Sequence, residues 1–128
     1  MFYRLLIAAL LLPAILSADK IDGVWRRGGI RWDVKRSANR VEVKVTAVGG
    51  NAYTYNAAAD GKEYPVNGFI PGTTVRLLSV SDKGFETAMF RNGKEFSRTK
   101  NSVNADGTLL NSETFSGGSS SHMIFAHY

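Results

Sequence analysis

The sequence predicts an all-β fold, an antiparallel up-and-down meander of about eight to nine strands that closes into a barrel. Hydrophobic and polar residues alternate along most of the chain, as they do in strands with one buried face. Residues that favour tight turns interrupt this alternation repeatedly. A β-sandwich is the alternative, because both closures give the same alternating pattern.

The N-terminus has the features of a secretory signal peptide. Arg4 supplies one positive charge, an apolar stretch runs from Leu5 to Leu16, and the small residues Ser17 and Ala18 follow. The 12 residues of this stretch are fewer than the roughly 20 that a bilayer-spanning helix needs. We therefore expect a cleaved signal helix at residues 1–18, a barrel domain at residues 19–128, and a periplasmic or secreted location.

The strands are predicted from period-two alternation, most clearly at Arg40–Val48, where valines alternate with charged residues and threonine. Other runs of strand length are Ala52–Asn56, Thr74–Ser81, Phe85–Arg91, Glu95–Val103, Thr108–Phe115 and His122–Tyr128. The turn signals are Gly28-Gly29, Gly49-Gly50-Asn51, Asp60-Gly61, Pro71-Gly72, Asp82-Lys83-Gly84, Asn92-Gly93 and Asp106-Gly107. Together they predict a meander and disfavour a parallel α/β fold.

Composition excludes several kinds of chemistry. The chain has no cysteine, which rules out disulfides, thiolate metal sites and cysteine nucleophiles. Its two histidines, His122 and His127, are five positions apart and are expected on opposite faces of one strand. We find no nucleophile–base pair and no metal-ligand motif. The sequence therefore predicts a protein that is not an enzyme and needs no cofactor or metal.

Two short motifs resemble a known group of proteins. Gly23-Val24-Trp25 matches the G-x-W signature of lipocalin-like (calycin) barrels, and residues 60–68 resemble a D-G-K-x-Y-P-V-x-G motif of small exported bacterial lipocalin-like proteins. The resemblance implies that Gly23 and Trp25 are structural and that Trp25 lies at the base of the barrel. Such barrels usually place an Arg or Lys from the last strand over this Trp, whereas residues 121–128 contain neither.

Aromatic residues are the first candidates for a binding site. Rings that point into a barrel either fill it or line a ligand cavity. The cavity candidates are Tyr53, Tyr55, Phe90, Phe115 and Phe125. The leading hypothesis is an exported, non-catalytic binding protein that holds a small, mainly apolar ligand inside the barrel.

A basic strip at residues 26–44 supports an alternative function. It holds seven basic residues against two acidic ones, whereas the rest of the expected mature chain is nearly balanced. Export argues against nucleic acid as a partner, so an anionic envelope component fits better. The alternative hypothesis is therefore a filled barrel that docks on anionic surfaces or partners through Arg31, Lys35, Arg36 and Arg40.

Overall fold

A computed structural model describes residues 20–128, so the predicted signal segment lies outside the described residues. These residues form ten strands and contain no helix. The strands are β1 (Gly23–Arg27), β2 (Ile30–Ser37), β3 (Arg40–Thr46), β4 (Ala52–Ala58), β5 (Glu63–Pro65), β6 (Thr73–Ser81), β7 (Gly84–Arg91), β8 (Lys94–Val103), β9 (Leu109–Ser116) and β10 (Ser119–His127).

All ten strands belong to one antiparallel sheet in the order β4-β3-β2-β1-β10-β9-β8-β7-β6-β5. The sheet curls until its two ends nearly meet. There, Thr54 of β4 and Asn67 form an isolated antiparallel bridge, in which each backbone N–H donates to the other residue's carbonyl at 2.9 Å. The predicted all-β antiparallel meander and its closure into a barrel are thus confirmed, and the sandwich alternative does not apply.

The strand number differs from the predicted eight to nine. The basic region after Trp25 forms two strands, β1 and β2, because Gly28 has a positive φ and turns the chain back on itself. Strand β5 has only three residues, too short for any alternation to show in the sequence. The observed number of strands in the described residues is therefore ten.

One hydrophobic core fills the space between the walls. Its fully buried side chains include Ile21, Trp25, Val41, Leu110 and Phe125, which come from both ends of the described chain. Trp32 of β2 packs on Phe125 of β10 with ring centroids 4.7 Å apart. This contact joins the two halves of the barrel on either side of β1.

The connections divide the barrel into two ends, because each one reverses the chain direction. Residues 38–39, 59–62, 82–83 and 104–108 connect strands at one end, which we call the base. Residues 28–29, 47–51, 66–72, 92–93 and 117–118 connect strands at the other, which we call the open end. We chose these names because a segment of the chain covers the interior at the base, whereas the inward-facing side chains are more exposed at the open end.

The base is covered by the segment that precedes β1. Ile21 is fully buried, and its N–H donates to the carbonyl of Asp82 at 2.9 Å. The indole N–H of Trp25 donates to the carbonyl of Ile21 at 3.0 Å, and the backbone N–H of Arg36 donates to Asp22 Oδ1 at 2.6 Å. These bonds fix the segment across the base and place Trp25 directly inside it.

Gly23 and His127 complete this end. The imidazole of His127 lies against the Trp25 ring, with centroids 4.5 Å apart. It also occupies the space beside Gly23, where a Cβ would come within 2.5 Å of His127 Nε2. Gly23 has a φ of 131°, a value that other residues rarely adopt. The backbone conformation therefore requires glycine here, and any side chain would also displace the His127 ring from Trp25.

Candidate functional site

The open end differs from the base in the exposure of its inward-facing side chains. Ile30, Tyr53, Met89 and Met123 pack against the core from four different strands, but each is only partly buried. Deeper along the same strands, the inward-facing Val34, Tyr55 and Phe125 are buried. The interior therefore ends in half-buried apolar side chains at the open end, whereas at the base it is covered by the segment before β1, beside which Ala59, Tyr64 and Val80 are also partly buried.

Three of the five cavity candidates lie inside the barrel. Tyr53 and Tyr55 share the inner face of β4, and Phe125 faces inward from β10. Tyr55 is buried and hydrogen-bonds with Thr87, while Tyr53 lies nearer the open end against Phe69, with ring centroids 5.2 Å apart. Burial raises the pKa of both Tyr hydroxyls, so both stay protonated and can donate hydrogen bonds at neutral pH.

The other two candidates lie on the outer face of the barrel. Phe90 alternates with the inward-facing Met89 and is covered from outside by the guanidinium of Arg76, 4.8 Å from its ring centroid. Phe115 alternates with the inward-facing Thr114 and is 48% exposed. The interior candidates are therefore reduced to Tyr53, Tyr55 and Phe125.

The interior has one apolar wall and one partly polar wall. Strands β1–β4 contribute tryptophan, valine and tyrosine, whereas β7–β9 contribute the buried polar residues Thr87, Asn101 and Ser112. Towards the open end, the hydroxyls of Thr99 and Thr114 are 3.1 Å apart. Asn101 Oδ1 is buried and accepts no hydrogen bond within the described residues. This wall can offer hydrogen bonds to a polar group inside the barrel.

The basic strip does not form a single patch. Arg31 and Lys35 lie on the outer face of β2, and Arg31 forms an ion pair with Asp33 at 2.9 Å. Arg36 lies at the base, where its Nε donates to the carbonyl of Ala38 at 2.9 Å. Arg40, also at the base, donates from Nε to Asn56 Oδ1 at 3.0 Å. The strip therefore extends along the molecule instead of facing one partner.

A groove of about 570 Å³ crosses the outer face of β1–β4 within this strip. The floor of the groove is formed by four residues that pair across neighbouring strands: Gly23, Val34, Val43 and Tyr55. Gly23 has no side chain, and the side chains of the other three point into the barrel. The sides of the groove carry Lys35, Lys44, Asp33, Glu42, Thr54, Asn56, Asn67 and Val24. Lys35 and Lys44 form no ion pair with any described residue, so the groove holds two unpaired ammonium groups.

The described residues show no constellation that would hold a metal. No group of three His, Asp or Glu side chains in residues 20–128 is placed to bind an ion. His122 lies on the outer face, 3.2 Å from Asn111 Oδ1, and His127 lies on Trp25. No helix in this part of the chain is long and apolar enough to cross a membrane.

This chain was compared with protein families, curated proteins and solved structures. No family model, curated protein or solved structure matches it.

The cavity candidates omit three half-buried residues of the open end: Ile30, Met89 and Met123. Alternation along the last strand already puts Met123 on one face with Phe125, but the candidate set holds aromatic residues only. Ile30 and Met89 lie at or near strand ends, where too few residues alternate to define a face.

Proposed function

We propose that this protein is an exported, non-catalytic binding protein that holds a small, mainly apolar molecule in the open end of a lipocalin-like barrel. The observation that carries the proposal is the group of half-buried side chains Ile30, Tyr53, Met89 and Met123 at the end of the inner face opposite the segment that covers the base. Its periplasmic or secreted location rests on the signal-like residues 1–18.

The composition of the open end suits a ligand of this class. Removing apolar surface from water contributes roughly 25 cal/mol per Å² to the free energy of binding. Four partly exposed apolar side chains from different strands therefore favour an apolar ligand. Methionine side chains adapt to ligands of different shape. Tyr53 and the hydroxyls of Thr99 and Thr114 would orient a polar group on the ligand.

The likeness to lipocalin-like barrels supports the same proposal. Trp25 lies inside the base, and the last strand covers it with the imidazole of His127. The resemblance implies an Arg or Lys over this Trp, and in this proposal the His127 ring takes that role. His127 thus supplies the covering group in a chain without a basic residue at the end of β10.

The proposal is tested by searching for a molecule that accompanies the protein from its native host. Native mass spectrometry of the purified protein should show an added mass, and organic extraction should release one apolar compound. A protein that carries no added mass, and whose melting temperature is unchanged by fatty acids, isoprenoids and pigments, contradicts the proposal.

Two substitutions on neighbouring residues of β10 locate the ligand. Met123→Trp puts a larger side chain into the open end and should reduce the bound fraction at least tenfold, because the space is taken. Ile124→Trp is the matched control, since Ile124 faces outward on the same strand. Equal loss in both variants would place the ligand elsewhere.

The second candidate function is docking on anionic partners through the basic strip. It is favoured by the unpaired Lys35 and Lys44 in the groove on the outer face. The paired substitution K35E/K44E should abolish salt-sensitive association with the envelope. Association that survives this substitution contradicts docking through the strip.

A further inference from the structure

We propose that the open end of the barrel docks on the surface of an anionic lipid bilayer. Apolar side chains of its connections would enter the headgroup region, and the basic residues at the adjoining strand ends would contact lipid phosphates. This goes beyond the proposed ligand site, because it assigns a second binding surface to a different set of residues. It shares only Arg27 with the basic strip, since Arg31, Lys35, Arg36 and Arg40, through which the strip would dock, take no part.

The apolar part of this surface lies on two neighbouring connections. Val48, Phe69 and Ile70 are exposed by 72%, 40% and 48%, although large apolar side chains gain by leaving water. The 66–72 connection contacts the start of β4, which directly follows residues 47–51: Phe69 packs on Tyr53, and the backbone of Gly68 lies against the carbonyl of Ala52.

Basic residues flank these apolar side chains. Arg27 ends β1, directly before the turn at Gly28-Gly29, and Gly29 lies against the side chain of Val48. At the other side, Arg91 and Lys94 flank the turn at Asn92-Gly93, and Gly72 is close to the Asn92 side chain. None of the three cations forms an ion pair with a described residue; Arg27 and Lys94 are exposed, whereas Arg91 is half-buried with its guanidinium 4.4 Å from the Phe96 ring centroid. The surface is therefore a continuous arc with basic ends and an apolar centre.

The base gives the contrast within the same molecule. Its segments carry Asp22, Asp60, Asp82 and Asp106 beside lysines, and its four connections hold no exposed large apolar side chain, although Leu109 and Tyr128 are exposed next to them. The five connections of the open end contain no charged residue at all. An anionic bilayer has negatively charged headgroups at its surface and apolar acyl chains beneath them. The exposed apolar side chains and flanking cations of the open end match these two layers, whereas the base does not.

The test is co-sedimentation with phosphatidylcholine vesicles, with and without phosphatidylglycerol. Each variant is expressed from the full sequence and purified as the host leaves it, so all share one N-terminus. We expect binding to the anionic vesicles that weakens with salt. The change R27Q/K94Q should lower partitioning about 25-fold, at about fivefold for each cation removed. The variant R27K/K94R keeps both charges and should bind as the parent does.

Matched controls at the base separate this surface from general charge or hydrophobicity. K62Q/K83Q removes two lysines from base connections and should leave partitioning unchanged. Ile70→Ser should weaken it about tenfold, since Ile70 would no longer leave water. Leu109→Ser removes a similarly exposed apolar residue beside the base and should have no effect. Thermal unfolding confirms that all variants fold.

Three outcomes would overturn the proposal: no binding to anionic vesicles, equal effects of the open-end and base variants, or binding insensitive to Ile70→Ser. A Phe69→Trp variant provides an independent readout, because its emission should shift to the blue on docking. Vesicle binding is measured on protein freed of any extracted compound. The docking proposal can therefore fail while an apolar ligand is found, and the reverse also holds.

Discussion

At Gly84 the two strands β7 and β8 come closer together than a side chain would allow. A Cβ on Gly84 would lie 2.1 Å from the carbonyl oxygen of Asn101, well inside van der Waals contact. The φ of Gly84 is ordinary, so the absence of a side chain is what this position needs. The sequence marked Gly84 only as part of a turn, because close approach of two strands leaves no local pattern.

Gly84→Ala should lower the free energy of unfolding by about 3 kcal/mol, because backbone must move to admit the methyl group. Urea unfolding measures the change. Gly118→Ala is the matched control, since Gly118 has no neighbouring atom near its Cβ position and no positive φ. It should change stability by less than about 0.5 kcal/mol. Similar losses in both variants would contradict the close approach of β7 and β8.

Among the elements, the connection between β8 and β9 is held by its own polar side chains. Asn104 Oδ1 accepts hydrogen bonds from the N–H groups of Thr108 and Leu109, each at 3.0 Å. Asp106 Oδ1 accepts hydrogen bonds from the hydroxyl and the N–H of Thr108, at 2.6 and 3.1 Å. These bonds from Thr108 lower the pKa of the Asp106 carboxyl below its usual value.

This shift makes the connection sensitive to acid. Because the pKa of Asp106 is lower in the folded protein, its contribution to stability is complete above the unfolded value of about 3.9. It is lost as the pH falls through the folded pKa. Asp106→Asn should be less stable than the parent at neutral pH, and the difference should vanish in acid. Urea unfolding across this range measures it, and a difference that grows in acid would contradict the assignment.

The elements also show how far sequence reasoning reaches. Turn chemistry at Asn92-Gly93 and Asp106-Gly107 located two connections, because positive φ values demand such residues. Alternation showed which residues share a face but not which face looks inward. Strand β7 is the clearest case, since Phe85 and Thr87 are buried inside while Ala88 and Phe90 are buried outside beneath longer side chains. Phe90 therefore looked like an interior residue from its sequence alone.

Across the whole molecule, the functional surfaces depend on closure of the barrel. The open end is formed by residues from β2, β4, β7 and β10, which are distant in sequence and meet only when the sheet curls. The closure itself uses a single bridge between Thr54 and Asn67, whereas β4 and β3 on the other side of Thr54 are joined by seven pairs of residues. No sequence motif predicts this bridge. It joins Thr54 of β4 to Asn67 in a connection, and the connection has no regular alternation of apolar and polar residues.

The bridge should be the first part of the barrel to open, and hydrogen exchange can detect this. The N–H of Thr54 donates across the closure to Asn67, whereas the N–H groups of Tyr53 and Tyr55 point to the other side of β4, towards β3. Local opening exposes amides held by few bonds before the rest of the structure unfolds. We therefore expect the amide of Thr54 to exchange at least tenfold faster than that of Tyr55. The comparison needs no variant, since both residues lie on one strand in one protein. Equal protection of the two amides would mean that closure and sheet unfold as a single unit, and that the open end keeps its shape for as long as the barrel is folded.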